Sequence, residues 1–307
     1  MRVAITGAGG LIGSFLAERL SSQGHDLHLL SRSPIENING LSGAAIHNGD
    51  IRDRASVERF LKDAEPDLIY HLAAQSLPSQ SWKDPHLTFD VNVNGTINIL
   101  EAMKGLKKDA LLLSVCSSAE YKASVNPISE DDPLDPSSPY GISKLAQDHF
   151  TQIYANLYGL RTIRCRPFFL IGPRKNGDAA SSFAKQIAAI EKGHQKVLNV
   201  GNLLAIRDLL DVRDGVMAME TLAEKGKEGE AYNICSGSGI SLEQTLSLLI
   251  SMSTAEIKTK EDRALFRPND LPKVIGNPQK LMKLGWKPHH RIESTLKDIL
   301  DYWRSRS

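Results

Sequence analysis

The sequence has no run of 18 apolar residues, and that absence excludes a helical membrane span. Cysteine is scarce: Cys116, Cys165 and Cys235 are odd in number and far apart. Such spacing gives neither a disulfide framework nor a zinc site; it fits reduced thiols in a cytoplasmic protein with no metal centre. A dominant charge is also missing, since 37 basic residues face 36 acidic ones for a formal net charge of +1. Neither nucleic acid nor a membrane surface is therefore expected as a partner. There is no internal repeat or low-complexity segment, and the chain opens on a strand-like run, so no signal peptide is expected. What is present is 41% hydrophobic residues in a chain of 307, enough for a sizeable core in two small domains or one large α/β unit with a lobe.

Met1-Arg2-Val3-Ala4-Ile5-Thr6 reads as a short buried strand, and Gly7-Ala8-Gly9-Gly10-Leu11-Ile12-Gly13 follows at once. Gly7, Gly10 and Gly13 keep a three-residue spacing, a compressed variant of the G-x-G-x-x-G dinucleotide turn. Glycine there permits a tight turn, close approach of backbone to pyrophosphate, and close packing of helix on strand. The helix expected over residues 11–23, opened by Leu11 and Ile12, presents its free amides to the phosphates. A ligand-free glycine loop has the same composition, but strand, turn and helix fall in the order that nucleotide binding needs.

The second strand, Asp26-Leu27-His28-Leu29-Leu30, should end at the ribose of such a cofactor. NAD enzymes place Asp or Glu there, whereas this chain has Ser31-Arg32-Ser33. A guanidinium beside hydroxyls suits a 2′-phosphate, which favours NADP(H) over NAD(H). An ordinary exposed arginine is the competing account of Arg32. Asp50-Ile51, after the third apolar stretch, is placed to frame the adenine.

Tyr140 and Lys144 stand four residues apart in Ser138-Pro139-Tyr140-Gly141-Ile142-Ser143-Lys144. On a helix they share a face, so the ammonium is expected near the phenol, where it lowers a pKa otherwise near 10. A phenol tuned in this way exchanges a proton near neutral pH, as carbonyl reduction requires. The spacing alone also describes two unrelated helix positions; the upstream nucleotide turn is what gives it weight.

Apolar strand-like runs at residues 44–47, 68–72, 110–115 and 161–165 alternate with helical stretches over residues 54–64, 93–104 and 144–158. The alternation implies βαβ crossovers and a parallel sheet with ligands at the strands' carboxyl ends. Beyond Pro173 the pattern loosens. The expected organisation is a nucleotide-binding unit over residues 1–172 and a smaller substrate lobe over residues 173–307, with some later segments returning to the first.

Together these segments resemble the extended short-chain dehydrogenase/reductase family in its nucleotide-sugar members. The resemblance rests on the glycine turn, Gly49-Asp50-Ile51-Arg52-Asp53, His71-Leu72-Ala73-Ala74-Gln75, Asn92-Val93-Asn94-Gly95-Thr96, the Tyr140–Lys144 segment and Arg166-Pro167-Phe168, in that order. It implies an α/β fold, a Rossmann-type doubly wound parallel sheet with a smaller mixed C-terminal lobe. It adds Leu72, Ala73, Ala74, Asn92 and Pro167 to the cofactor-binding set, with Lys144 on the nicotinamide ribose and Asn92 also positioning the active-site elements. It places Ser117, in Cys116-Ser117-Ser118-Ala119-Glu120-Tyr121-Lys122, as the third catalytic group beside Tyr140 and Lys144, bonding the substrate carbonyl.

The later segments, from Phe183-Ala184-Lys185-Gln186-Ile187 to Leu284-Gly285-Trp286-Lys287-Pro288, resemble the GDP-sugar branch. That implies a GDP-sugar substrate, contacts from Ser79, Lys185, Asn202, Arg207 and Arg267, and a homodimer through residues 93–104 and 144–158. The 4,6-dehydratases of the branch carry a proton-abstracting Glu two residues beyond the Ser/Thr, where this chain has Ala119. Glu120 is adjacent but should face the other way, so reduction of a GDP-4-dehydro-6-deoxy-hexose at C4 is the expected chemistry. The alternatives are a GDP-mannose 4,6-dehydratase, a reductase or epimerase of another nucleotide sugar, and a non-catalytic NADP(H)-binding regulator. Phe169 replaces an Asn that commonly contacts substrate, and Lys122 replaces the usual Gly.

Overall fold

Val3, Ala4 and Ile5 are wholly buried, as are Leu112 and Leu113, so these strands have no polar face. Strands of that kind are stable in a parallel sheet covered on both sides by helices. The computed structural model describes residues 1–32, 41, 43–266 and 270–306, and it has that architecture. Strands β1 (Arg2–Thr6), β2 (Asp26–Ser31), β3 (Ala45–Asn48), β4 (Leu68–His71), β5 (Leu111–Val115) and β6 (Thr162–Pro167) form its main sheet. The next strands, β7 (Phe169–Ile171), β8 (Leu198–Val200), β9 (Ile206–Arg207) and β10 (Leu209–Asp211), leave it, and β11 (Ala231–Ile234) returns to its edge. The order is β3-β2-β1-β4-β5-β6-β11, parallel throughout. Strand order reverses between β1 and β4, and in a doubly wound sheet the ligand crevice opens at that point.

Alternate strand residues feed two cores. Val3, Ile5, Leu27, Leu29 and Leu113 pack against α1 (Leu11–Ser22) and the later helix over residues 212–225. Ala4, Leu30, Ile69 and Leu112 face α2 (Arg54–Ala64) and the helix over residues 95–104. Two short helices not expected from periodicity, α3 (Pro78–Lys83) and α4 (Pro85–Phe89), follow β4. A π-helical turn, Asp90–Asn94, then leads into α5 (Gly95–Lys104). The next helix, α6 (Pro139–Tyr158), starts a turn earlier than the expected 144–158, because Ser138 caps it by accepting the Gly141 amide at 3.1 Å and Pro139 stands at its first position. In the lobe, α7 (Ala179–Glu191) packs with α9 (Leu242–Ser251) and α11 (Ile292–Arg304) through Phe183, Ile187, Leu249, Leu296 and Ile299, while α8 (Val212–Lys225) and α10 (Gln279–Met282) return to the main sheet. Among the described residues no helix is long and apolar enough to cross a membrane.

The switch point is held by a buried histidine. His71 Nδ1 lies 2.8 Å from Thr6 Oγ1 and Nε2 lies 3.0 Å from Thr96 Oγ1. Thr96 donates its own proton to the Asn92 carbonyl at 2.7 Å, which leaves its oxygen to accept from Nε2–H. Nδ1 then accepts from Thr6, whose oxygen takes the Ala73 amide at 3.2 Å. Burial, helped by the nearby Lys144 charge, pushes the imidazole from 6.5 down to about 3. As acid is added the unfolded chain protonates first, so this residue's contribution is intact above pH 6.5 and is lost as pH falls towards 3. Urea unfolding at pH 7 and pH 5 should show about 2 kcal/mol of pH-dependent destabilisation that disappears in His71→Gln. An unchanged pH dependence in the variant would contradict this assignment.

Candidate active site

A continuous cleft of about 1320 Å³ runs along the carboxyl ends of the strands, from the glycine turn across Ser117 and Tyr140 to β7 and the lobe. A single drug-sized ligand occupies roughly 300–1,000 Å³, so the space suits two ligands end to end. Gly7, Gly10, Leu11, Ile12, Gly13, Ser31, Arg32, Asp50, Ile51, Leu72, Ala73, Ala74 and Pro167 are among its lining residues. At Gly7 the backbone has φ +72°, and a side-chain carbon would lie 2.6 Å from the Ala73 nitrogen. At Gly13 it would lie 2.3 Å from the Gly7 oxygen, so helix, turn and the end of β4 are pressed together as a nucleotide cradle requires. Gly10 caps α1 without a side-chain hydrogen bond, leaving the helix's first amides open to phosphate. Arg32 is largely exposed, 3.8 Å from Asp50, whose carboxylate is also held by Arg52 at 2.7 Å. A cationic group thus lines this part of the cleft.

Ser117, Tyr140 and Lys144 line the middle of the cleft together. Ser117 ends the extended segment after β5, with its hydroxyl beside the phenol of Tyr140. The Tyr140 amide donates to Ser81 Oγ on α3 at 3.1 Å. Lys144 is almost fully buried and donates to the Val115 carbonyl at 2.9 Å and to Gln147 Oε1 at 2.8 Å. Here the structure corrects an expectation. Burial dominates the phenol and pushes it up to about 12; the Ser117 hydrogen bond opposes this, while Glu120 and Cys116 add to it. Burial also lowers Lys144. The phenol therefore keeps its proton at neutral pH, the state of a general acid rather than a preformed phenolate.

Other sequence-predicted residues fall differently. Asn92, expected at the cofactor, is fully buried outside the cleft lining. Its amide exchanges hydrogen bonds with the Gln75 backbone at 2.8 and 3.1 Å and donates to Ser143 Oγ at 2.9 Å, tying the loop after β4 to α6. Ser79 and Arg207 do line the cleft. Arg207 lies 5.5 Å from the centre of the Phe169 ring and bonds Asp270 at 2.6 Å, so Phe169 supports a guanidinium where an Asn was expected to meet substrate. Lys185 and Asn202 are outside the lining. Lys185 sits on α7 with its ammonium 5.2 Å from the Trp303 ring centre, and Asn202 donates to Asp270 at 3.4 Å and accepts the Leu204 amide at 3.1 Å. Arg267 lies outside the described residues.

Sequence reasoning missed the charge network beneath the cleft. Asp148, two helical turns below Tyr140 on α6, accepts from Arg164 at 2.8 Å and from Arg166 at 2.9 and 3.2 Å. Arg166 also donates to the Tyr121 hydroxyl at 2.9 Å, and its Nε lies 3.4 Å from Glu120. Burial works against the Asp148 charge, but the two guanidiniums outweigh it and hold the carboxyl below its ordinary range. Cys116, Glu120 and Asp148 cluster like metal ligands, yet both Asp148 oxygens already accept guanidinium bonds. A signal was available: Asp148 continues the Tyr140–Lys144 face at i+4, and Arg164 and Arg166 share one face of an otherwise apolar strand. Trp82, on α3, is a further cleft residue that no periodicity marked.

A family model described as GDP-mannose 4,6 dehydratase matches residues 4–299. The chain belongs to that family. With it comes the fold and enzyme class of the extended short-chain dehydrogenases/reductases, which act with NAD(P). The chain is 31% identical to the GDP-6-deoxy-D-mannose reductase of Pseudomonas aeruginosa, over 99% of this chain and 98% of that one. A solved structure of RMD from Pseudomonas aeruginosa complexed with NADPH superposes with a TM-score of 0.87 at 29% identity, covering 100% of both chains. UDP-glucose 4-epimerase from Thermotoga maritima, with UDP-glucose, gives 0.89 at 26% identity over 100% of this chain and 99% of that one. Dehydratase, reductase and epimerase thus share this framework, and the choice among them rests on the cleft's own residues.

Breaking a buried ion pair by removing one partner costs about 3–5 kcal/mol. Asp148→Ala should lose stability on that scale in urea unfolding, because Arg164 and Arg166 are left buried without their acceptor. A loss below about 1 kcal/mol, the value of an exposed pair, would show that α6 is not anchored there.

Proposed function

We propose that the chain reduces the C4 carbonyl of a GDP-4-dehydro-6-deoxy-hexose with NADPH, giving a GDP-6-deoxy-hexose of the GDP-D-rhamnose type. The observation that carries the choice is Ala119. It lines the cleft two residues beyond Ser117, where the dehydratases of the resemblance place a base, and it has no proton-accepting group. Glu120 next to it is fully buried with its carboxylate towards Arg166, away from the cleft. The site can therefore deliver hydride and proton but lacks the side chain for water elimination.

The cradle at Gly7 and Gly13, the open amides of α1 and Arg32 fit a phosphorylated dinucleotide. Bound there, NADPH supplies the hydride. The Ser117 hydroxyl holds the C4 oxygen, and Tyr140, its phenol kept protonated by burial, gives that oxygen a proton as negative charge develops. Lys144, fixed by Val115 and Gln147, contributes a buried positive charge beside the reacting groups. Arg207, braced by Phe169 and Asp270, is the cleft cation that meets the diphosphate. Exposed Ile153, Leu157 and Tyr158 on α6 support a homodimer through this helix.

Offered GDP-4-dehydro-6-deoxy-mannose, the protein should oxidise NADPH one-for-one and yield a 6-deoxyhexose nucleotide. Tyr140→Phe should lower kcat by about 10²–10⁴ with little change in KM, the range for loss of a positioned acid. No oxidation with this substrate, together with dehydration of GDP-mannose, would reverse the reading. So would undiminished activity of Tyr140→Phe.

A further inference from the structure

Glu120 is a fully buried acid that the proposed reaction leaves unused. It closes the short 3₁₀ turn Ser118–Glu120 under the cleft floor, while Ser117, Ser118, Ala119 and Tyr121 around it line the cleft. Its Oε1 accepts the backbone amide of Ser117 at 2.7 Å. Ser117 Oγ in return accepts the Ala119 amide at 3.1 Å, so the two side chains cap each other's backbone. This reciprocal cap fixes both ends of Ser117: the main chain is held by Glu120, and one side of its hydroxyl oxygen is taken by the turn. The same hydroxyl meets the Tyr140 phenol.

The far end of Glu120 faces the network that holds α6. Among the described residues Oε2 has no hydrogen-bond partner; it lies 3.4 Å from Arg166 Nε, and Arg166 is gripped by Asp148 of α6. Glu120 therefore spans from the Ser117 backbone to the ion pairs under Tyr140 and Lys144. An apolar side chain at this position could fill the space but could accept nothing from the Ser117 amide, and an unmet buried amide is costly.

We infer that Glu120 is a positioning residue, setting Ser117 against Tyr140 by holding the Ser117 amide from the buried network beneath. This rests on the proposed catalytic reading of Ser117 and Tyr140. It also gives Glu120 a role other than elimination base. What the role demands is an acceptor oxygen at the end of a two-methylene stem, not a negative charge. Burial and the neighbouring Asp148 together raise the Glu120 carboxyl above its ordinary range, and a glutamine keeps the Oε1 acceptor that meets the Ser117 amide.

The test is a kinetic cycle on the full chain with NADPH and GDP-4-dehydro-6-deoxy-mannose, with cofactor binding and thermal melting recorded for each variant. Glu120→Gln keeps the acceptor and should retain kcat within about 3-fold, whereas Glu120→Leu should lose about 30-fold in kcat with cofactor affinity unchanged. Ser117→Ala should lose about 10²–10³, and adding Glu120→Leu to it should cost no more than about a further 2-fold, because the two act through one contact. A full multiplicative loss in the double variant would overturn the inference and leave Glu120 a purely structural residue. A Glu120→Leu protein within about 3-fold of the parent would also overturn it. Should Glu120→Leu fail to fold, Glu120→Gln decides: a folded protein more than about 10-fold impaired contradicts the acceptor role. A silent Ser117→Ala would instead sink the proposed function, and this inference with it.

Discussion

The active site depends on how α6 is fastened to the sheet. Most helices are held by an apolar stripe, but the residues that α6 buries are Gly141, Ser143, Lys144, Gln147, Asp148 and Thr151. They dock through directional contacts: Asp148 to Arg164 and Arg166, Lys144 to the Val115 carbonyl, and Gln147 and Thr151 to Ser114 Oγ at 3.1 Å each. Apolar packing tolerates small slides, whereas a buried guanidinium–carboxylate pair loses several kcal/mol when its partner is lost. That anchor fixes the height and rotation of the helix, and so where Tyr140 and Lys144 stand over the strand ends.

A second set of polar contacts joins this helix to the dinucleotide cradle. Asn92 bonds both Gln75, on the loop after β4, and Ser143, on α6. Through Thr96 and His71 the same region reaches Thr6, whose hydroxyl accepts the Ala73 amide beside Gly7. The glycine turn and the helix that carries Tyr140 therefore belong to one hydrogen-bonded unit. For reaction between two bound molecules this rigidity matters, because the rate gain from holding donor and acceptor together depends on sub-ångström placement.

What could be read in the sequence was what local patterns carry. The glycine turn, the strand–helix alternation and the Tyr140–Lys144 pair each lie within a few residues, and the structure shows the sheet and the shared cleft. The contacts that tune the site join distant residues: Asp148 with β6, and Glu120 with Ser117 and Arg166. Burial, absent from any spacing, reversed the expected direction of the Tyr140 shift. Lys185, expected at the substrate, is carried by α7 with its ammonium 5.2 Å from the ring centre of Trp303 on α11, outside the cleft lining. Helix α3 is too short for a periodic signal, yet it carries Ser79 and Trp82 into the cleft.

On the proposed reading, hydride passes from an exchangeable cofactor to a sugar carbonyl, with no elimination in the same site. The most direct test uses NADPH deuterated on the transferring face, incubated with GDP-4-dehydro-6-deoxy-mannose, followed by NMR of the nucleotide product. Deuterium at C4 of a 6-deoxyhexose, one per NADPH consumed, is the predicted result. Unlabelled product, or a GDP-mannose turnover that recycles its own hydride without consuming NADPH, would contradict the account.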